Sequence, residues 1–286
     1  MIEGQLLPER IFHSRTLESK KTIRIYLPPS YASSPRKRYP VLYVHDGQNV
    51  FSSAGPGACF GWGSWNLDDT VNHLVEAKRM REIIMVSIDN GRYRYQEYRG
   101  PAAYSAATRF AQYSQFIARE LKPRIDDEFR TMPKPAYTGL LGSSLGGICS
   151  VAMAWEHPDV FGLAGCLSGS FQVEKRCFLK KVLAGYQRRR KAIRFYLDSG
   201  VMDFDGDDDG RQDTEAVANE LRRIGWKDEA NLKHHVDAAP LNEEDLEQAG
   251  VPSYKWSDAL QSQHNEFYWR IRAWRALTFL FPPLKR

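Results

Sequence analysis

Apolar runs of strand length recur along the chain and alternate with stretches whose apolar residues return every three or four positions. Arg10 to Leu17 and Thr22 to Leu27 read as two opening strands. Tyr39 to His45 (YPVLYVH), Glu82 to Asp89, Ala136 to Leu141, Leu163 to Leu167, Ala192 to Leu197 and Asn231 to Val236 read as further strands, several dense enough to be buried on both faces. Between them the pattern predicts a helix over about Leu67 to Lys78, with Asn66 or Asp68 as its cap. A longer helical stretch over Ala106 to Phe129 should be kinked or divided by Pro123. Further helices are expected between the strands ending at Leu141 and beginning at Leu163, and over Asp213 to Ile224. In the last, Asn265 to Phe281, the residues Phe267, Ile271, Trp274, Leu277 and Phe281 keep helical spacing and Pro282-Pro283 supplies the stop.

Such alternation predicts an α/β fold, a mostly parallel sheet of about eight strands with helices on both faces. Functional loops then belong beyond the carboxyl ends of the strands. With 286 residues, 42% of them hydrophobic, one large core suits the chain better than two small ones, so 1–286 is expected to be a single domain. No apolar run approaches the roughly 20 residues of a membrane span. The excess of 40 basic over 35 acidic residues is nearly matched by the run Arg188, Arg189, Arg190, Lys191. That run has no interleaved aromatics and leads straight into a strand, which fits a solvated loop better than a nucleic-acid patch. Neither a nucleic-acid nor a membrane partner is expected. The opening MIEGQLLPER lacks a basic start and a cleavage site, so a cytoplasmic location is expected. Cys59, Cys149, Cys166 and Cys177 show neither disulfide-framework nor zinc-ligand spacing.

The chemistry-bearing pattern is Gly142-Ser143-Ser144-Leu145-Gly146, a G-x-S-x-G lying directly between a predicted strand and a predicted helix. A sharp turn there lifts a serine hydroxyl clear of the backbone, and the flanking glycines let strand and helix approach. Ser144 is therefore the expected nucleophile, with the helix N-terminus beside the forming oxyanion. Its base should be a downstream histidine, and in this type of fold an acid lies between the two in the chain. His264 fits best, in a polar loop just before the last helix; His157 suits a helix end, and His234 and His235 lie in a strand. The acid is expected within Asp198 to Asp203, at Asp203, with Asp198 and Asp205 as alternatives.

With these residues in place the sequence resembles the putative-esterase family of α/β-hydrolases, which includes esterase D, feruloyl and acetyl-xylan esterases, enterochelin esterases and the mycolyl transferases. The likeness is carried by Tyr43 to Phe51 (YVHDGQNVF), the elbow Gly142 to Gly147, His157-Pro158-Asp159-Val160-Phe161, and His264-Asn265-Glu266 with Trp269. The resemblance implies an α/β-hydrolase fold and an acid three positions past a glycine, here Gly200 followed by Asp203. It also implies oxyanion-hole amides at Gln48 and Leu145, with Gly47 an alternative to Gln48. The expected activity is hydrolysis of a small-molecule carboxylic ester through an acyl-enzyme, without metal or cofactor. Acyl transfer to an alcohol with the same residues, or a noncatalytic binding module on the same fold, are the alternatives.

Two departures from the resemblance stand out. Residues 237–263 intervene before the histidine, and the segment is expected to form a pocket wall or lid. Trp62, Trp65, Tyr254 and Trp256 are the candidate pocket residues. Asp205, Asp207, Asp209, Gly210 and Asp213 follow part of a calcium-loop spacing, but Ala216 stands where the final ligand belongs, so a solvated loop is expected instead.

Overall fold

In a computed structural model the described residues are 3–101, 109–203, 205–251 and 263–284. Nine strands form one sheet: β1 Gln5–Leu6, β2 Arg10–Ser14, β3 Ser19–Leu27, β4 Val41–His45, β5 Ile84–Ile88, β6 Thr138–Ser143, β7 Leu163–Leu167, β8 Arg194–Ser199 and β9 Leu232–Val236. Every predicted strand is present, and the two-residue β1 is an addition that pairs with the end of β3. The order is β1-β3-β5-β4-β6-β7-β8-β9, with β2 also on β3. From β5 to β9 all neighbours are parallel, whereas β1, β2 and β3 pair antiparallel. The expected mostly parallel α/β sheet is therefore what the chain forms.

Helices α1 Leu67–Glu76, α2 Arg94–Tyr98, α3 Arg109–Gln115, α4 Lys122–Glu128, α5 Leu145–Glu156, α6 Val173–Cys177, α7 Arg211–Ile224, α8 Glu243–Ala249 and α9 Glu266–Leu280 accompany the sheet among the described residues. A π-helical segment, Phe116–Leu121, joins α3 to α4. Pro123 sits in the first turn of α4, where its missing N–H is least needed, so the long predicted helix is divided there. One sheet face packs on Phe110, Tyr113 and Phe116, on Ile148 and Val151 of α5, and on Val217 and Leu221 of α7. The other packs on Val71 and Leu74 of α1 and on Ala273 and Leu277 of α9. Helix α5 is buried nearly all round, as befits a helix between the sheet and a further layer.

The chain leaves β4 for β5 on one side, then crosses to β6 on the other, so the loops after β4 and β6 diverge at a reversal of strand order. Crevices form at such switch points. Both loops belong to the motifs singled out above.

The insertion is partly ordered against the body. Asn242 and Asp245 cap α8 reciprocally, and Leu241, Leu246, Ala249 and Val251 bury against Ile271 of α9. Residues 237–251 thus clasp the outer side of α9. Tyr254 and Trp256, with the rest of 252–262, lie outside the described residues.

Candidate active site

Strand β6 ends at Ser143 and α5 begins at Leu145, leaving Ser144 alone in the turn with φ 54 and ψ −122. That backbone is unfavourable for a residue with a Cβ and is kept only where the surroundings enforce it. Its amide donates to Leu167 O at 2.9 Å, and its carbonyl accepts from Ser170 N at 3.1 Å, so the loop after β7 clamps it. The glycines have distinct steric duties. A Cβ on Gly142 would lie 2.4 Å from the Gly146 backbone, and one on Gly147 would lie 2.7 Å from Cys166 Sγ. Because the first contact is backbone, Gly142→Ala is expected to cost about 3 kcal/mol or more, seen as a lower urea midpoint. An unchanged midpoint would mean the turn is looser than described.

Beside the elbow, β4 ends at His45 and the chain turns through Asp46, which is left-handed (φ 57, ψ 45), into the 3₁₀ turn Gly47–Asn49. The Asp46 carboxylate is gripped by Arg94 through two bonds, Nε to Oδ1 at 2.7 Å and Nη2 to Oδ2 at 2.8 Å. The Gln48 side chain accepts from the Asn90 amide at 3.1 Å. The turn is therefore braced from β5's loop. The Gln48 and Leu145 amides find no hydrogen-bond acceptor among the described residues. Gln48 lines the same crevice as Ser144, and Leu145 follows Ser144 at the first position of α5. His45 lies beneath the turn, fully buried, with Nδ1 3.0 Å from Tyr113 Oη. Burial lowers its pKa to about 4, so it is neutral at ordinary pH and does not line the crevice.

His264 reaches the same crevice from the loop before α9 and packs edge-on against Trp269, with ring centroids 5.0 Å apart. Its Nδ1 is 2.6 Å from Oδ1 of Asp209, not of Asp203. Asp209 takes a left-handed backbone (φ 55) just ahead of α7. The Asp209 side chain is wholly buried, and its Oδ2 accepts from Ser168 Oγ at 2.6 Å and from the Gly200 amide. Burial alone would raise its pKa, but the His264 hydrogen bond and the Arg272 charge outweigh that and hold it below the ordinary carboxylate value.

Asp203, the expected acid, instead accepts from the amides of Asp205 and Asp207, each at 2.9 Å, and shapes the loop. It lines the crevice, as does Asp205, but neither is placed on His264. Asp198 is fully buried in β8, bonded to the Ser168 amide and the Tyr196 hydroxyl. The carboxylates of the acidic run diverge: Asp213 pairs with Arg176 at 2.7 Å and Asp208 takes amides of α7. Among the described residues no three His, Cys, Asp or Glu side chains converge as metal ligands would.

The crevice encloses about 820 Å³ and is lined by Ser144, His264, Asp209, Gln48, Glu266 and Trp62, among others. Trp62 and the fully exposed Phe60 stand at its mouth. Trp65, the other described pocket candidate, is instead buried against Trp269, with centroids 5.9 Å apart, and does not face the crevice. Residues 237–251 contribute nothing to the lining. Glu266 was not singled out for the pocket, although it stands two residues after His264. It is nearly buried in the wall and accepts from Asn49 Nδ2 at 3.3 Å, and burial raises its pKa.

A profile of the family described as "Putative esterase" matches residues 14–275. Among curated proteins, the uncharacterized proteins YbbA and YjcH of Bacillus subtilis are 28% identical over 157 residues and 29% identical over 154 residues. These matches cover 52% and 54% of this chain but only 57% and 58% of the relatives' own length. Among solved structures, a ferulic acid esterase superposes with a TM-score of 0.71 at 18% identity, covering 99% of this chain and 100% of that one. The enterobactin esterase FES of Shigella flexneri superposes at 0.68 with 17% identity, covering 99% of this chain and 60% of its own.

Proposed function

The chain belongs to the putative esterase family, and from that premise we propose that it is a serine hydrolase cleaving a carboxylic ester through an acyl-enzyme on Ser144. One observation carries the reading: the strained elbow serine shares a crevice with a histidine whose far nitrogen is bonded to a buried carboxylate. Ser144 Oγ attacks the ester carbonyl while His264 Nε2 takes its proton. The Asp209 carboxylate, in the role expected of Asp203, fixes the ring's tautomer and stabilises the imidazolium. The Gln48 and Leu145 amides receive the tetrahedral oxyanion. His264 then protonates the leaving alcohol, and in the second half it activates water against the acyl-enzyme.

Two proteins of similar fold are a ferulic acid esterase and an enterobactin esterase whose structure was solved in the presence of 2,3-di-hydroxy-N-benzoyl-glycine. Trp62 and Phe60 at the crevice mouth support an aryl-bearing substrate here. Trp62→Ala is expected to raise KM for aryl esters about tenfold, the scale of one aromatic contact, with kcat on p-nitrophenyl acetate within about twofold. A KM for aryl esters that does not rise in that variant would remove Trp62 from recognition.

The acyl-enzyme itself is tested by partitioning. With methanol as a second acceptor, acetyl esters of several different alcohols should yield one constant ratio of methyl acetate to acetic acid, because all pass through the same intermediate. A ratio that changes with the leaving alcohol would mean that water attacks the ester directly, and the proposal would fail.

A further inference from the structure

Behind Asp209 lies a buried cluster to which the ester-cleaving reading assigns no task. Trp269 and Arg272 stand one turn apart on α9 and point to the same place. Arg272 is the largest fully buried side chain described, and burying a lone guanidinium is costly unless it is paired. Its Nη2 donates to Ser168 Oγ at 2.6 Å, and Trp269 Nε1 donates to the same oxygen at 3.0 Å. With both of those contacts filling its lone pairs, the Ser168 hydroxyl has its proton left for Asp209 Oδ2, 2.6 Å away. Arg272 Nη1 is itself 3.6 Å from that Oδ2.

Two other carboxylates compete for the guanidinium, Asp198 at 3.7 Å and Asp237 at 3.8 Å. Asp237 is also satisfied by Arg275 at 2.7 Å, which in turn holds Asp245 of α8 at 2.6 Å. Asp198 and Asp209 share one cation yet are driven in opposite directions. Burial raises Asp198, against the pull of Arg272, whereas for Asp209 the His264 bond, the Arg272 charge and the Ser168 hydroxyl overcome burial. The cluster thus drives two acids that share one guanidinium apart, Asp209 downward and Asp198 upward.

We infer that Arg272, acting through the Ser168 hydroxyl, is a positioning residue that holds Asp209 as an anion in the orientation that faces His264. The inference rests on the reading of Ser144, His264 and Asp209 as the reacting set. The groups facing Asp209 are His264 from the loop before α9, Arg272 from α9, Ser168 from the loop after β7, and Gly200 after β8, with Trp269 of α9 reaching it through Ser168. Asp198, Asp237, Arg275 and Tyr196 lie in the second rank around Arg272. Remove the hydroxyl or the cation and burial dominates, so Asp209 takes up a proton at a higher pH. His264 then loses its charged partner over a pH range in which the unaltered protein keeps it.

The test is the pH profile of kcat/KM on p-nitrophenyl acetate for Ser168→Ala, Arg272→Met and Arg272→Lys, each normalised to sites counted with a fluorophosphonate. Ser168→Ala should lower kcat about tenfold to hundredfold, leave KM within about twofold and move the acid limb to higher pH. Arg272→Met should do the same more strongly, and Arg272→Lys should return the limb part of the way. If Arg272→Met does not fold, Ser168→Ala decides alone. Folded variants with the unaltered acid limb and kcat would overturn the inference and leave the Ser144 reading standing. An unaltered protein that takes no label would overturn that reading, and the inference with it.

Discussion

Replacing Ser144 with alanine is expected to lower kcat on p-nitrophenyl acetate by about 10⁴- to 10⁶-fold while leaving the fold intact. The hydroxyl's one described contact is Ser170 Oγ at 3.1 Å, so its loss removes little from the packing. The left-handed turn is held by the Leu167 and Ser170 backbone, not by the side chain. What survives the substitution, on the proposed mechanism, is the pair of amides at Gln48 and Leu145, which would still polarise a bound carbonyl toward water. Hydrolysis at more than about one tenth of the original rate, from protein free of contaminating esterase, would mean that another residue attacks.

The second large effect separates two aspartates six residues apart. Asp209→Asn should reduce kcat about 10³- to 10⁴-fold, because an amide in that place favours the wrong histidine tautomer and supplies no charge to the imidazolium. Asp203→Asn should stay within about threefold, since an amide oxygen can still accept from Asp205 and Asp207. Steady-state kinetics of the two variants side by side decides the matter. The opposite ranking would return the acid to Asp203 and require the loop after β8 to rearrange in the working protein.

That contrast also shows where the sequence stops being informative. Strands buried on both faces announce themselves as apolar runs, so the sheet from β3 to β9 was legible, as was the strand-turn-helix that exposes Ser144. The candidate base His264 could be singled out because only one histidine lies in a polar loop before the last helix. The candidate acid was harder. Chain order confines it to the segment after β8, but Asp198, Asp203, Asp205, Asp207, Asp208 and Asp209 all lie there, and the loop's path decides which one turns inward. Asp209 turns inward because it and Gly210 both take left-handed backbones at the start of α7, and its carboxylate is drawn to Ser168, Gly200 and Arg272. An Asp-Gly pair directly before a helix was the available signal, and calcium-like spacing obscured it.

Trp65 teaches the same point for the pocket. It is three residues from Trp62 and equally apolar, yet it lies under the turn against Trp269 while Trp62 stands at the mouth. Side-chain direction in an irregular loop has no period to betray it. The short α8 likewise has only seven residues, too few for a helical repeat, although its Asn242 and Asp245 capping box was present in the sequence.

Nucleophilic attack by Ser144 is tested most directly by treating the protein with a fluorophosphonate at neutral pH and locating the adduct by peptide mass spectrometry. One adduct per chain is expected, on the peptide carrying Gly142-Ser143-Ser144-Leu145-Gly146, at Ser144, with labelling suppressed in His264→Ala and absent in Ser144→Ala. An adduct on another residue, or undiminished labelling once Ser144 is alanine, would contradict it.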